Sequence, residues 1–370
     1  MRILMVGLPD RPVLWGVGSV EHVILNLAHA LSLDHEVFVA SCGTGAYIAD
    51  HFHRQNVDPL ADSGLYALPT PYGVPYRVAG EPFERVALSS AADAPDVVAS
   101  IGIDVVSAHD DPSLALDSPA PVLFTAHSLP SRWVEFHPER TAAALSCAAA
   151  ITAFSPYVAD HVAMRSARDD VAVTPLFAPP LLLNTPPQSA TPRRVLVASR
   201  LTSSAGVIDL CALWRRHAVQ GCTLSVVDFP ALDASRRDVE EIRSFVRTTP
   251  GVTLIKPWIS QLQGAAVLRE TAVVAACPVD DNPSPFGVLE ARAAGCRVVG
   301  FEHPVIDEVA GTEALLVPRG DHRALAAALA TAIKEDSPVL RTAIQRNAEA
   351  AYPLAHTVAF YEGLLHQACR

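Results

Sequence analysis

Short β-branched runs alternate with helix-length segments along almost the whole chain, and this alternation constrains its fold more than any other feature. "RILMVGL" at the N-terminus reads as a strand, "SVEHVILNLAHALSL" carries apolar residues at helical spacing, and "HEVFVASC" reads as a strand again. "DVVSAH" (104–109), "PVLFTAH" (121–127) and "AAAITAFS" (148–155) continue the series, each followed by a loop or helix. Such βαβ order predicts a parallel sheet with helices on both faces. The stretch "FAPPLLLNTPPQSATPRR", Phe177–Arg194, breaks the pattern. Proline fixes φ and removes donors, so this segment reads as an interdomain linker. The series then restarts with "RVLVASR", "TLSVVDF", "VTLIKPW", "AVVAACP", "CRVVGF" and "ALLVP". The expectation is α/β, with an N-terminal domain over 1–180, a Pro-rich linker over 181–194 and a second domain over 195–353. Ligands of open α/β sheets bind at the C-terminal strand edges, and interdomain clefts are favoured pockets. Chemistry is therefore sought at strand ends.

Charge narrows the partner. The chain has 370 residues with 28 basic against 39 acidic, a net charge of -11. Phosphate-rich partners need a basic face, so nucleic acid and anionic membrane surfaces are not expected. "MRILMVGLPDRP" is too short an apolar run for a signal peptide, and no stretch approaches the roughly 20 apolar residues of a membrane span. Seven scattered cysteines without metal-ligand spacing read as reduced thiols, which places the expected chain in the cytoplasm. Abundant Ala, Pro and Arg beside only two lysines, Lys256 and Lys334, suggest a GC-rich bacterial source.

Several short motifs sit where the strand ends fall. They are "GSVE" (18–21), "DHEV" (34–37), "FTAHS" around His127, "SRLTSSAG" (199–206) and "NPSPFGVLEARAAGCRVV" (282–299). In this order they resemble glycosyltransferase family 4, nucleotide-sugar-dependent retaining enzymes of the GT-B fold. The resemblance implies two Rossmann-like doubly wound domains facing across a cleft, the N-terminal one on the acceptor side and the C-terminal one holding the donor. It also implies that the final helix, 354–370, crosses back onto the N-terminal domain.

In the last motif a Pro- and Gly-punctuated loop runs into a helix holding one carboxylate, Glu290. A helix N-terminus offers free N–H groups to an anion. A diphosphate suits Pro285, Phe286, Gly287 and Val288, with Ser284 also small enough for close approach. Glu290, one turn in, repels phosphate, and the resemblance assigns it to the ribose hydroxyls. Otherwise it is a carboxylate complementing the helix dipole. Arg200 ends "RVLVASR" and carries a planar fork suited to the diphosphate leaving group. Gly18 and Ser19, with Gly16, offer backbone at the start of the first helix, where the resemblance expects the distal phosphate. His127 ends a strand and by resemblance meets the donor sugar, so His127 and Arg200 are the candidate catalytic pair. His109 is a weaker candidate, with Asp110 and Asp111 read as caps of a following helix. "VVDFP" (226–230) and "KPWIS" (256–260) sit where the family cradles the nucleoside, and Ile259 would pair with the base. Glu308 resembles the family's glutamate at a helix start.

Two positions depart from the family. Ala205 stands where its lysine is expected, with Ser203, Ser204 or Lys256 as substitutes; Ser204 is counted among the donor contacts. Asn282 replaces the first glutamate, eight residues before Glu290, with Asp280 and Asp281 as neighbours that could reach in. The resulting expectation is a retaining, metal-independent transfer from a nucleoside-diphosphate sugar to a small soluble acceptor, without a cofactor, in secondary-metabolite or unusual-sugar biosynthesis. It leaves oligomerisation open. Two rivals remain, a non-catalytic GT-B relative and a nucleotide-sugar isomerase. The loops 69–82 and 128–139 are expected to shape the acceptor side, and Trp15, Trp133 and Phe136 an exposed patch.

Overall fold

The structure, a computed structural model, describes residues 1–8, 13, 18–42, 73–77, 80–131, 138–184, 186–187, 193–229, 236–256, 261–279 and 285–370. Two compact units emerge, Met1–Leu176 with Ala355–Arg370, and Phe177–Leu354.

The first unit is built on an eight-stranded sheet of β1 (Arg2–Val6), β2 (Glu36–Cys42), β3 (Pro75–Arg77), β4 (Glu84–Leu88), β5 (Val105–His109), β6 (Val122–Ala126), β7 (Ala150–Ala153) and β8 (Ala172–Val173). Their spatial order is β3-β4-β2-β1-β5-β6-β7-β8. Among the described strands only β3, at the edge, pairs antiparallel. Strands β5 and β6 are buried at every position. A strand covered on both faces has no wet side, so the sequence shows continuous apolar runs instead of period-two alternation. Helix α1 (Ser19–Leu31) turns Val23, Ile24, Leu27 and Leu31 inward. The C-terminal helix, Leu354–Ala368, buries Thr357, Tyr361, Leu364, Leu365 and Ala368, a stripe at helical spacing.

The second unit holds β9 (Arg193–Val197), β10 (Cys222–Val227), β11 (Val252–Ile255), β12 (Thr271–Ala276), β13 (Arg297–Phe301) and β14 (Leu315–Val317). All neighbours pair parallel, in the order β11-β10-β9-β12-β13-β14. Both units thus wind outward in two directions from their first strand, the Rossmann arrangement, and strand order reverses between β1 and β5 and between β9 and β12. The expected α/β class with two Rossmann-like units is what the chain adopts.

The chain leaves the first unit after Leu176, ahead of the expected linker, and returns to it after Leu354. Phe177, Ala178 and Leu182 are buried within the second unit. The amide of Gln345 donates to the carbonyls of Leu182 and Ala293, both at 2.9 Å. The apolar side chains in "FAPPLLL" supply this packing, which a count of prolines hides. Pro187 also packs, against Gly295: at φ +77°, a Cβ there would lie 2.7 Å from the Pro187 ring.

Candidate functional site

In the N-terminal unit the expected residues gather at the C-terminal ends of β5 and β6. The two strands register His109 against Thr125, which brings the turn after each side by side. Nδ1 of His109 lies 2.8 Å from Nε2 of His127. The other nitrogen of His109 lies 2.9 Å from the Ser107 hydroxyl, which is 2.6 Å from the hydroxyl of Tyr361 on the C-terminal helix. The same Tyr361 oxygen is 2.6 Å from Thr125 Oγ1. His109, Ser107, Thr125 and Tyr361 are all fully buried.

Asp110 does not cap the following helix, Leu114–Asp117, whose N-cap is Ser113. It sits at φ +56°, a left-handed conformation in which Asp is tolerated better than most residues. Its carboxylate accepts the His127 N–H at 2.7 Å and the Ser128 N–H at 3.1 Å, and it also takes the Ser128 hydroxyl. The turn presenting His127 is therefore fixed by a carboxylate on the neighbouring strand end. Burial holds the His109 ring well below the usual histidine range, and the His127 ring beside it acts in the same direction. Burial likewise lowers His127 to about 4, against the opposing charge of Asp110. Both rings are neutral at pH 7. Phe154, after β7, packs its ring 5.1 Å from that of His127.

Gly18 and Ser19 open α1 as expected. A Cβ at Gly18 would lie 2.6 Å from Oε2 of Glu21, a buried first-turn carboxylate at the end of a flexible side chain. Trp15, Gly16, Trp133 and Phe136 lie outside the described residues.

In the C-terminal unit the expected residues cluster at the strand-order reversal. β9 ends at Val197, three residues short of the expected end, and Arg200 forms a single parallel bridge with Phe229 beyond β10. A short 3₁₀ turn follows, with the Thr202 and Ser204 hydroxyls 3.0 Å apart. Val279, beyond β12, donates its N–H to the Ser204 carbonyl at 2.7 Å, so the segments after β9 and β12 are tied together. Gly206 makes this approach possible. Its φ is +72°, and a Cβ there would lie 2.0 Å from the Cys277 carbonyl oxygen. Ala205 packs against the core of this unit.

The helix Phe286–Ala293 begins at Pro285. Phe286, Val288 and Leu289 are buried, with the Phe286 ring 5.5 Å from that of Phe177, while Gly287 and Glu290 are half-buried. A Cβ at Gly287 would meet no heavy atom within 4 Å. Neither backbone conformation nor packing within the described residues requires glycine here, which leaves room for something to approach the backbone. Ile259, Asn282, Asp280, Asp281 and Ser284 lie outside the described residues. Lys256 is exposed just past β11, the sheet's edge strand two places from β9. Glu308 is exposed on the helix Pro304–Ala310 and accepts the Tyr352 hydroxyl through its carbonyl at 2.9 Å.

Sequence reasoning missed Ser107, Thr125 and Tyr361, and gave Asp110 a lesser role. Asp110 had a local signal, a strand-ending His-Asp pair. Tyr361 had none, because its partners lie some 250 positions away. Asp228, just past β10, was also passed over; it accepts from Arg243 at 2.9 Å. Among the described residues no group of three or more His, Cys, Asp or Glu could hold a metal ion, and no helix is long and apolar enough to cross a membrane.

Residues 18–178 match the sequence model described as Glycosyltransferase Family 4. No curated protein matches the chain in sequence. Among solved structures, sucrose-phosphate synthase from Thermosynechococcus elongatus aligns with a TM-score of 0.70 at 16% identity, covering 99% of each chain. HepE of Anabaena, in complex with UDP and glucose, aligns at 0.69 with 15% identity and 99% of each chain. The UDP-forming α,α-trehalose-phosphate synthase from Burkholderia vietnamiensis aligns at 0.67 with 13% identity over the full length of both. The family match bears out the resemblance read from the motifs, and the structural likeness bears out the GT-B fold. Residues 18–178 thus resemble that family in sequence, and the chain as a whole shares the fold of these solved glycosyltransferases.

Proposed function

We propose that this chain is a retaining glycosyltransferase that moves a sugar from a nucleoside diphosphate to a small soluble acceptor. The observation that carries the reading is the strand-order reversal of the C-terminal unit. There Arg200 and Ser204 follow β9, and the open backbone at Gly287 begins the helix that bears Glu290. Amide dipoles and a guanidinium suit a diphosphate and neutralise the charge that develops as the glycosidic bond breaks. In this reading Glu290 grips the ribose, and His127 meets the transferring sugar. The departing phosphate takes the acceptor proton on the face from which the acceptor attacks, so configuration is retained. No step is assigned to a metal. HepE has been crystallised with UDP and with UDP-glucose, which makes UDP the first nucleotide to try.

A thermal-shift screen against UDP, GDP, ADP, TDP and CDP tests the assignment, because a ligand that binds only the folded state raises the melting temperature. One nucleotide is expected to stabilise the wild type, and Glu290→Ala to need roughly tenfold or more nucleotide for the same shift, consistent with loss of hydrogen bonds to a charged group. Equal shifts in the two proteins would remove the ribose assignment. Ala205 favours a second reading, a nucleotide-sugar-binding protein without transfer, since its side chain packs against the core and brings no cation to the phosphates. Sugar transfer or donor hydrolysis above background excludes it.

A further inference from the structure

Where β5 and β6 part, a side chain takes over from the sheet. In a parallel pair, a residue whose N–H reaches residue j of its neighbour takes the N–H of residue j+2 on its own carbonyl. Asp110 donates its N–H to the Thr125 carbonyl at 3.0 Å, so its carbonyl would be the regular acceptor for His127. The chain turns at Asp110 to φ +56°, and the His127 N–H goes to Oδ1 of the Asp110 side chain at 2.7 Å. The same oxygen takes the Ser128 N–H at 3.1 Å, and Oδ2 takes the Ser128 hydroxyl. One main-chain acceptor is thus exchanged for a carboxylate that holds two successive amides and a hydroxyl, by bonds stronger than neutral ones. Among the described non-glycine residues only Asp110 and Ala167 have positive φ. Ala167 ends a helix, where a left-handed residue is common. Asp110 ends a strand, and strain of this kind persists only where the surroundings over-determine it.

We propose that Asp110 is a positioning residue, which fixes the main chain of the His127–Ser128 turn and acts by hydrogen-bond geometry, not as a base. Asp110 is only 5% exposed, and this one turn occupies three of the roughly four acceptor positions of a carboxylate. The His127 ring is held separately, its Nε2 lying 2.8 Å from His109 Nδ1, and that contact serves whichever ring supplies the proton. Consecutive residues after β5 therefore grip the ring and the backbone of a single residue after β6. The placement stands on the hydrogen bonds alone; its consequence for transfer rests on the glycosyltransferase reading. There, a fixed backbone sets where the imidazole meets the sugar, and a misplacement of about 1 Å can cost on the order of a hundredfold in rate.

Asparagine and glycine both accept a left-handed backbone, so Asp110→Asn and Asp110→Gly differ chiefly in the side chain they leave. In D110N an oxygen still accepts both amides, and the Ser128 hydroxyl turns to accept from the new NH2; D110G has no acceptor. Amide exchange in the full chain, followed by NMR, reads the placement without any need for activity. The His127 and Ser128 amides are expected to exchange slowly in the wild type and in D110N. In D110G they should exchange roughly tenfold faster or more, the loss of a bond to a charged group, while the amides of β6 stay protected. Given transfer activity, D110G should lower kcat about a hundredfold with the donor KM changed less than about threefold, and D110N should return kcat to within about tenfold of the wild type. Three results overturn the proposal: wild-type amides that exchange as fast as those of D110G, a D110G variant with undiminished kcat, or a D110N variant that loses more than about tenfold in kcat while both amides stay protected. The last would make Asp110 a charge or a base instead. Should D110G not fold, D110N decides by the same criteria, and a kcat that falls in step with lost protection supports the proposal. Protected amides in a wild type that transfers no sugar would support the placement and count against the catalytic reading.

Discussion

At the scale of single residues, the N-terminal unit keeps two histidines neutral in its interior. Burial depresses both rings below the ordinary histidine value of 6.5, His127 to about 4. The sign of the stability effect follows. Between about 4 and 6.5 the unfolded chain binds more protons at these rings than the folded chain does, so stability rises with pH across that window and is lost as pH falls through it. Melting of the N-terminal unit is expected to shift downward as pH is lowered from 7 toward 4.5. The slope should be shallower in His127→Asn, which removes one of the two titrating rings. An identical slope in the variant would mean that carboxylates alone set the acid sensitivity. His127 was legible in the sequence because a histidine ending an apolar run must emerge at a strand edge. Its support was not legible. Ser107 and Thr125 look like ordinary strand residues, and Tyr361 reaches them only because the last helix packs on the first unit.

At the scale of elements, two glycines of the C-terminal unit separate what the fold needs from what a ligand needs. Gly206 is held by the fold: with φ at +72° and the Cys277 carbonyl where a Cβ would go, alanine must displace the segment after β12. Gly287 is different, since a Cβ there meets nothing. Gly206→Ala is expected to lower stability by about 2 kcal/mol or more, strained backbone and clash together. Gly287→Ala should leave stability unchanged or raise it by up to about 1 kcal/mol, because glycine is the poorer helix former. Nucleotide affinity should show a different pattern, with Gly287→Ala weakening it at least several-fold as the new methyl stands between the phosphate and the helix N-terminus. Chemical denaturation of the C-terminal unit and nucleotide titration measure the two effects. Undiminished affinity in Gly287→Ala would move the phosphates away from this helix. The motif around Gly287 was legible because loop, helix start and carboxylate are contiguous. The Ser204–Val279 tie was not, since it joins segments 75 positions apart, and only the positive φ of Gly206 marks it.

At the scale of the whole molecule, each unit has its own core, one centred on Leu4, Phe38 and Phe124 and the other on Val195, Trp214 and Val299. The chain order does not respect this division, because the C-terminal helix belongs to the first unit. Strand alternation made the two sheets legible in the sequence, whereas the helix's destination came only by resemblance: an amphipathic stripe says that a face is covered, not by what. Two cores imply two unfolding transitions in calorimetry, each movable by itself. Leu365 is fully buried, so Leu365→Ala should destabilise its unit by about 2–5 kcal/mol. The transition it lowers should be the one that also reports residues 1–176, although Leu365 follows the entire second unit in sequence. The stabilising nucleotide should raise the other transition, by about 2.7 kcal/mol at a hundred times its dissociation constant. Hydrogen exchange assigns the transitions: peptides from β1 and β5 should lose protection with the first, and peptides from β9 and β12 with the second. A nucleotide that raised only the transition containing β1 would place the diphosphate on the wrong unit. Arg200, Ser204 and the helix start at Phe286 would then need a purpose other than the donor.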